Sequence, residues 1–391
     1  MPKENVTKLL DSLRKTTCIG IDIRCLSEPR TGVGTYVHDL LRALFTLDQT
    51  REYVLISTGR RVVSLPLLED FPNVRRVHIS IPNKILHMSM RLFRWPRLDR
   101  LAARSIGITS FDLYISGNIH IMSITPGLVH LAMIHDLSFF HIPDTFSLKR
   151  RLWHWIVKPF EQIERADHII VNSTYTKDDI MRTVGIREDR LTVISPGSSI
   201  TEQSDEASVR ERYELPERFV CCLATIEPRK NIAALIQAFT TSKLPGWGYD
   251  LVLLGGVGWS SRGMNTLIAQ TPGVRHLGFV KEEDKYAILQ SAKLFVYPSL
   301  FEGFGMPVLE AMTAGVPVIA GANTSLFELT DGAAWLVGSL SISDIREVLE
   351  EMVSDETRRI QYARLGSLRA SRYFWEQAAL SIHTLLKRYE G

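Results

Sequence analysis

Two glutamates, Glu302 and Glu310, stand in the stretch Phe301-Glu-Gly-Phe-Gly-Met-Pro-Val-Leu-Glu310, between an apolar run and a helix-forming segment. Carboxylates at such a junction can flank a bound molecule and accept hydrogen bonds from its hydroxyls. Gly303 and Gly305 let the backbone come close to a ligand, and Pro307 fits a helix's first turn, where Glu310 is also expected. The amino end of that helix presents unpaired N–H groups suited to phosphate. The alternative is a Gly-rich turn with surface glutamates. A second segment, Ala224-Thr-Ile-Glu-Pro-Arg-Lys-Asn231, follows the apolar run Phe219–Leu223 and opens an expected helix over 232–239. Arg229 and Lys230 then lie at the carboxyl end of a strand, where a planar fork and a compact charge suit a diphosphate. Cations in a helix's first turn oppose its dipole, which favours an anionic partner as the reason for them. His135 ends the apolar run 131–134 and precedes Asp136; an isolated histidine there reads equally as a turn or capping residue.

These residues need elements to hold them, and short apolar runs alternate with amphipathic stretches along the whole chain. Strands are expected at 18–23, 53–57, 77–81, 113–115, 131–134 and 168–171, then at 219–223, 251–254, 294–297 and 316–320. Helical patterns lie at 36–45, 148–163, 177–184 and 373–389. Such alternation implies α/β architecture, with parallel sheets covered by helices on both faces. At 391 residues two domains are the natural division. The polar, turn-rich stretch 196–209 marks the break. The expected units are an acceptor-side domain over 1–200, a donor-binding domain over 201–371 and a final helix over 372–391 returning to the first domain. Ligands of such sheets sit at the carboxyl ends of strands, in the cleft between the domains.

Bulk composition narrows the function further. The four cysteines include no Cys-x-x-Cys and suggest neither a disulfide framework nor zinc. No apolar run approaches bilayer-spanning length, and Met1–Lys8 lacks the apolar core of a secretion signal, so the cytoplasm is the default location. Residues 1–200 carry 27 Lys+Arg against 20 Asp+Glu, and the remainder 19 against 23. A basic first half suits an anionic partner, such as lipid headgroups or a phosphorylated acceptor; no nucleic-acid motif accompanies it. Within 84–104, Arg91, Arg94, Arg97, Arg100 and Arg104 recur every three or four residues, interleaved with apolar and aromatic side chains, and Lys149, Arg150 and Arg151 lie near Trp153 and Trp155. These stretches read either as solvated helix faces or as an acceptor entrance at the inner face of a membrane.

Taken together, Glu302-Gly-Phe-Gly-Met-Pro-Val-Leu-Glu310, Thr225-Ile-Glu-Pro-Arg-Lys-Asn231, His276-Leu-Gly-Phe-Val280, Arg30-Thr-Gly-Val-Gly-Thr-Tyr36 and His135-Asp136 resemble the retaining glycosyltransferases of family 4. That family has the GT-B fold of two Rossmann-like domains facing across a cleft. The resemblance covers most of the chain, and the Glu-Pro-Arg-Lys-Asn wording is similar to members that use GDP-mannose or related donors. It implies that Glu302 binds donor-sugar hydroxyls beside the amides of Gly303, Phe304 and Gly305, and that Glu310 accepts from the ribose. Amides near Val308 and Leu309 would approach the diphosphate, Arg229 and Lys230 would neutralise it as it leaves, and the Phe279-Val280 backbone would edge the base. Gly32 would approach the phosphate from the facing domain, with His135 near the anomeric carbon. Many members carry an arginine where this chain has Thr225, so Arg229 would substitute.

The family's mechanism is front-face substitution without a metal. Retention otherwise calls for a carboxylate nucleophile, for which Asp136 is the nearest candidate. No Asp-x-Asp occurs, so no metal ligands and no cofactor are expected. The expected partners are a nucleotide-sugar donor and a glycan or lipid-linked acceptor of surface polysaccharide synthesis. Competing readings are a nucleotide-sugar epimerase on the same fold and a non-catalytic nucleotide-sugar-binding scaffold. A dinucleotide-dependent dehydrogenase lacks its Gly-x-Gly-x-x-Gly.

Overall fold

The computed structural model describes residues 16–26, 31–62, 65, 68, 70–200, 204–258 and 262–390. Arg30 of the first glycine motif, the opening stretch 1–8 and the expected domain boundary at 201 lie outside them.

The first domain holds β1 (Cys18–Asp22), β2 (Glu52–Thr58), β3 (Val74–Ile79), β4 (Leu113–Ser116), β5 (Val129–Ile134), β6 (His168–Val171) and β7 (Leu191–Val193). They form one parallel sheet in the order β3-β2-β1-β4-β5-β6-β7. The second domain holds β8 (Phe219–Leu223), β9 (Asp250–Leu254), β10 (Val274–Gly278), β11 (Leu294–Tyr297), β12 (Val318–Gly321) and β13 (Trp335–Val337), ordered β10-β9-β8-β11-β12-β13. Central strands such as β4 and β11 are buried throughout, which is why they read as unbroken apolar runs rather than alternating ones. In each sheet the strand order reverses beside the first strand, between β1 and β4 and between β8 and β11. Loops diverge at such a reversal and open a crevice for ligand. Arg229 and Lys230 leave β8, and Glu302 leaves its neighbour β11.

Local chemistry accounts for the departures from the expected elements. The helix expected over 148–163 is two, Leu148–Val157 and Pro159–Arg165, because Lys158 turns left-handed at φ 53° and Pro159 starts afresh. β3 lies at Val74–Ile79 rather than 77–81; as an edge strand it carries Arg75 and Arg76, whose charge hid it. The unforeseen strands are β7, β10 and β13: β7 and β13 are three residues each, too short to display a period, and β10 is an edge strand whose Arg275 and His276 break its apolar run.

The final helix, Trp375–Lys387, belongs to the first domain's core, where Ala378, Ile382, Leu385 and Leu386 pack against the helix Gly32–Leu47. The chain thus crosses between domains twice, and the crossings touch. A Cβ on Gly197 would lie 2.4 Å from the Trp375 amide nitrogen, so only glycine admits this approach. Among the described residues, no helix is long and apolar enough to cross a membrane.

Candidate active site

The domains face each other across a cleft of about 730 Å³. The strand-to-helix connection after β8 makes one tight turn, Pro228–Lys230, and Asn231 at φ 56° then breaks it from the helix Ile232–Thr240. Arg229 and Lys230 therefore precede that helix, which starts at Ile232 as expected. The turn sends Lys230 inward. It is buried, and its Nζ donates to the Tyr297 hydroxyl at 2.8 Å and to the Glu302 carboxylate.

Glu302 Oε1 also accepts from Ser299 Oγ at 2.5 Å and from Tyr297 at 3.0 Å. Burial alone would raise this carboxyl, but the charges of Lys230 and Arg229 outweigh burial and hold it below the usual glutamate range. A buried carboxylate with this many donors keeps both its charge and its direction.

Arg229 bridges the domains. Its Nη1 reaches Asp136 Oδ2 at 3.2 Å, while Nε binds Glu227. Burial would lower its pKa, but Asp136, Glu227 and Glu302 drive it upward, so the guanidinium stays charged. The other oxygen of Asp136 accepts from the Ser138 amide at 2.9 Å and its hydroxyl at 2.5 Å. Both oxygens of Asp136, the nearest candidate for a nucleophile, are thus engaged, one by Arg229 and the other by Ser138.

His135 lies at the end of β5. Its ring Nε2–H donates to the Gly117 carbonyl at 2.9 Å, and the ring meets Tyr36 edge-on at 5.3 Å. Burial depresses its pKa, leaving a neutral imidazole turned into the first domain. Its carbonyl points the other way: a Cβ on Gly303 would stand 1.8 Å from that oxygen. The Gly303 carbonyl accepts from Ser173 Oγ at 2.6 Å and Thr176 Oγ1 at 3.2 Å. The glycine loop is thus clamped by the first domain on both sides.

A smaller hollow of about 130 Å³ adjoins the cleft and shares Gly32, Thr225, Met306 and Pro307 with it. Glu310 and Lys285 stand at its far end, joined at 3.0 Å. Burial pushes the Glu310 carboxyl upward despite that lysine. Glu310 is the fifth residue of the helix Met306–Thr313, one turn deeper than expected. Phe279 and Val280 line the same hollow, and the Phe279 ring itself lies over Gly256, whose Cβ would be 2.3 Å from it. Gly32 opens the helix Gly32–Leu47 with clear space around it.

The structure brings together His135, Arg229, Lys230, Glu302, Gly303, Phe304, Gly305 and Gly32, with Phe279, Val280 and Glu310 at the hollow. It does not bring in Val308 and Leu309. Their side chains are buried in the second core, and their amides donate to the Gly305 carbonyl at 2.9 and 3.2 Å; Met306 and Pro307 line the cleft instead. Sequence reasoning missed Tyr297, Ser299 and Lys285, which orient the two glutamates. Ser299, three residues before Glu302, had a local signal; Lys285 had none. It also missed the first-domain lining of Arg24, Asn118, His120 and His154, whereas Arg150 and Trp153 of the second basic-aromatic stretch do line the cleft.

Residues 30–201 match the family described as Glycosyltransferase Family 4, and residues 204–367 match Glycosyl transferases group 1. The O-antigen chain mannosyltransferase B of Escherichia coli is 27% identical over 362 residues, which is 89% of this chain and 93% of that protein. The serotype-specific mannosyltransferase WbdA of Escherichia coli is 32% identical over 232 residues; the match takes in 56% of this chain but 28% of WbdA. In fold, sucrose-phosphate synthase from Thermosynechococcus elongatus superposes with a TM-score of 0.75 at 20% identity, over 95% of this chain and 98% of that one. Anabaena HepE, solved in complex with UDP and glucose, gives 0.72 at 18% identity, over 96% of this chain and 100% of its own. With two facing parallel-sheet domains and both halves matched, the chain belongs to the family 4 glycosyltransferases of GT-B fold, as a mannosyltransferase-like member.

Proposed function

We propose that the protein transfers a hexose, mannose from GDP-mannose first among the candidates, to a glycan or lipid-linked acceptor with retention at the anomeric carbon and no metal. One observation carries this reading: a continuous cleft runs from the Glu310–Lys285 pair, past Gly32 and Met306, to Arg229, Lys230 and Glu302. That sequence of groups suits a nucleoside, a diphosphate and a sugar in order. The mannosyltransferase and O-antigen names of the two Escherichia coli relatives support the choice of sugar and of surface polysaccharide as product.

In this mechanism the acceptor oxygen forms a bond to the anomeric carbon on the face from which the diphosphate oxygen departs. The acceptor's proton passes to the leaving diphosphate. Arg229 and Lys230 stabilise the charge gathering there, Lys230 exchanging part of its contact with Glu302 for phosphate. Glu302, held through Oε1, offers its other oxygen to the sugar hydroxyls, and the His135 carbonyl faces the positive charge developing on the ring. The two protein cations take the part a divalent metal plays elsewhere. The reaction belongs on the cytoplasmic side of a membrane, where nucleotide sugars are made.

A thermal-shift screen of GDP-, UDP- and ADP-sugars, followed by NMR of the product anomer, tests the reading. Stabilisation by GDP-mannose, an axial product linkage and full turnover in EDTA are expected. An inverted product or a chelator-sensitive rate would sink it.

A further inference from the structure

The helices Asn83–Phe93 and Leu148–Val157 each present two apolar faces, and only one face of each has a partner. They lie side by side: Arg91 Nε donates to the Ile156 carbonyl at 3.1 Å, and Leu86, Met90 and Val157 share one small core. At helical spacing, Ile85, Met88 and Leu92 form a stripe opposite that core, and Leu148, Leu152 and Trp155 form another. These side chains are 58, 61, 66, 81, 56 and 75% exposed in that order, and Phe93 at the end of the first helix is 73% exposed. Scattered exposed apolar residues are ordinary, but two aligned stripes on touching helices form one patch.

Charge tells what covers it. Neither helix contains an acidic residue. Lys149 and Arg151 flank the second stripe on either side, while Lys84, Arg91 and Arg94 rim the first, all of them exposed. A second copy meeting this face with its own would set like charges together, at a cost in association energy. An anionic bilayer instead accepts aromatic and aliphatic side chains between its headgroups and pairs with the cations around them.

The inner faces of the same helices reach the catalytic cleft. Trp153 and His154, on the side of the second helix opposite its stripe, line the cleft, and His87 of the first helix meets Arg24 of the cleft lining at 3.2 Å. We infer that these two helices seat the protein on an anionic lipid surface and hold the acceptor end of the cleft against it. The inference rests on the reading of a membrane-held acceptor and names the surface that meets the membrane.

Co-sedimentation with vesicles of phosphatidylglycerol and phosphatidylethanolamine, against vesicles of phosphatidylcholine alone, tests this with neither donor nor acceptor present. It therefore stands or falls separately from the transfer reading. The wild-type chain should bind the anionic vesicles only, with a blue shift of tryptophan fluorescence. Arg94→Glu/Lys149→Glu/Arg151→Glu should lower partition on the order of a hundredfold. Leu92→Ser/Phe93→Ser/Trp155→Ser should abolish the blue shift, and both variants should keep the wild-type circular-dichroism melt and sugar transfer to a short soluble acceptor. Equal binding to both vesicle types, unchanged partition of either variant, or a solution dimer that Trp155→Ser dissociates would overturn the inference.

Discussion

Glu302 gathers the contacts of three side chains, Lys230, Tyr297 and Ser299, from two segments onto one carboxylate, and its surroundings set what substitution should do. Glu302→Gln keeps the shape and removes the charge, whereas Glu302→Ala also leaves Lys230 buried without its counter-ion. Turnover should fall by about 10²–10³-fold in the alanine variant, as when a group acting on the transition state is removed. Near-normal kcat in Glu302→Ala would reject the site. Gly303 gives a sharper test, since an alanine methyl there would be driven into the His135 carbonyl oxygen at 1.8 Å, with Asp136 Cβ at 3.1 Å. Gly303→Ala should therefore keep both domains folded and still bind nucleotide, yet lose transfer because the cleft cannot close. Isothermal titration beside a turnover assay separates these; equal loss of both would mean a simple folding defect.

The helix Thr174–Val184 does two jobs through one hydroxyl. Ser173 Oγ caps it by accepting from the Thr176 amide at 3.1 Å and donates across the cleft to the Gly303 carbonyl at 2.6 Å. Ser173→Ala should lower stability by about 1 kcal/mol through the lost cap. It should also raise the donor KM more than it lowers kcat, because the glycine loop loses a clamp but no catalytic group. A KM unchanged within error would show that the clamp is structural only. The left-handed turn at Asn231 is comparable: it decides whether the preceding lysine faces the cleft, and no dipeptide rule announces it beyond asparagine's tolerance of that conformation.

Stability across the molecule depends on how the second crossing of the chain is anchored. Leu385 lies in the first domain's core though it comes at the end of the sequence, so Leu385→Ala should cost about 2–5 kcal/mol, read by denaturant melt of the first domain. Acid sensitivity follows from four histidines, His87, His120, His130 and His168, whose pKa values burial pushes from 6.5 to about 4. Below pH 6.5 the unfolded chain takes up protons that the folded chain refuses, so stability is full above that point and falls as pH drops toward 4. Tm should decline between pH 7 and 5, before most carboxylates titrate; a flat profile over that window would contradict the burial of these rings.

Much of this was legible from residue order alone. Parallel sheets follow from unbroken apolar runs spaced by helical stretches, and the Gly303–Gly305 turn with Glu302 before the helix is a local pattern that needs no tertiary contact to recognise. Charge spacing likewise singled out the stretches around Arg91 and Lys149, whose role rests on the vesicle experiment. What residue order could not decide is pairing across distance. Glu302 with Lys230, Glu310 with Lys285 and Arg229 with Asp136 join segments 25 to 93 residues apart. The assignment of Val308 and Leu309 to the core also waits on the fold, because a helix's first amides serve a ligand or its own loop according to where the loop turns. Periodicity says that a helix has two faces; only packing says which of them remains uncovered.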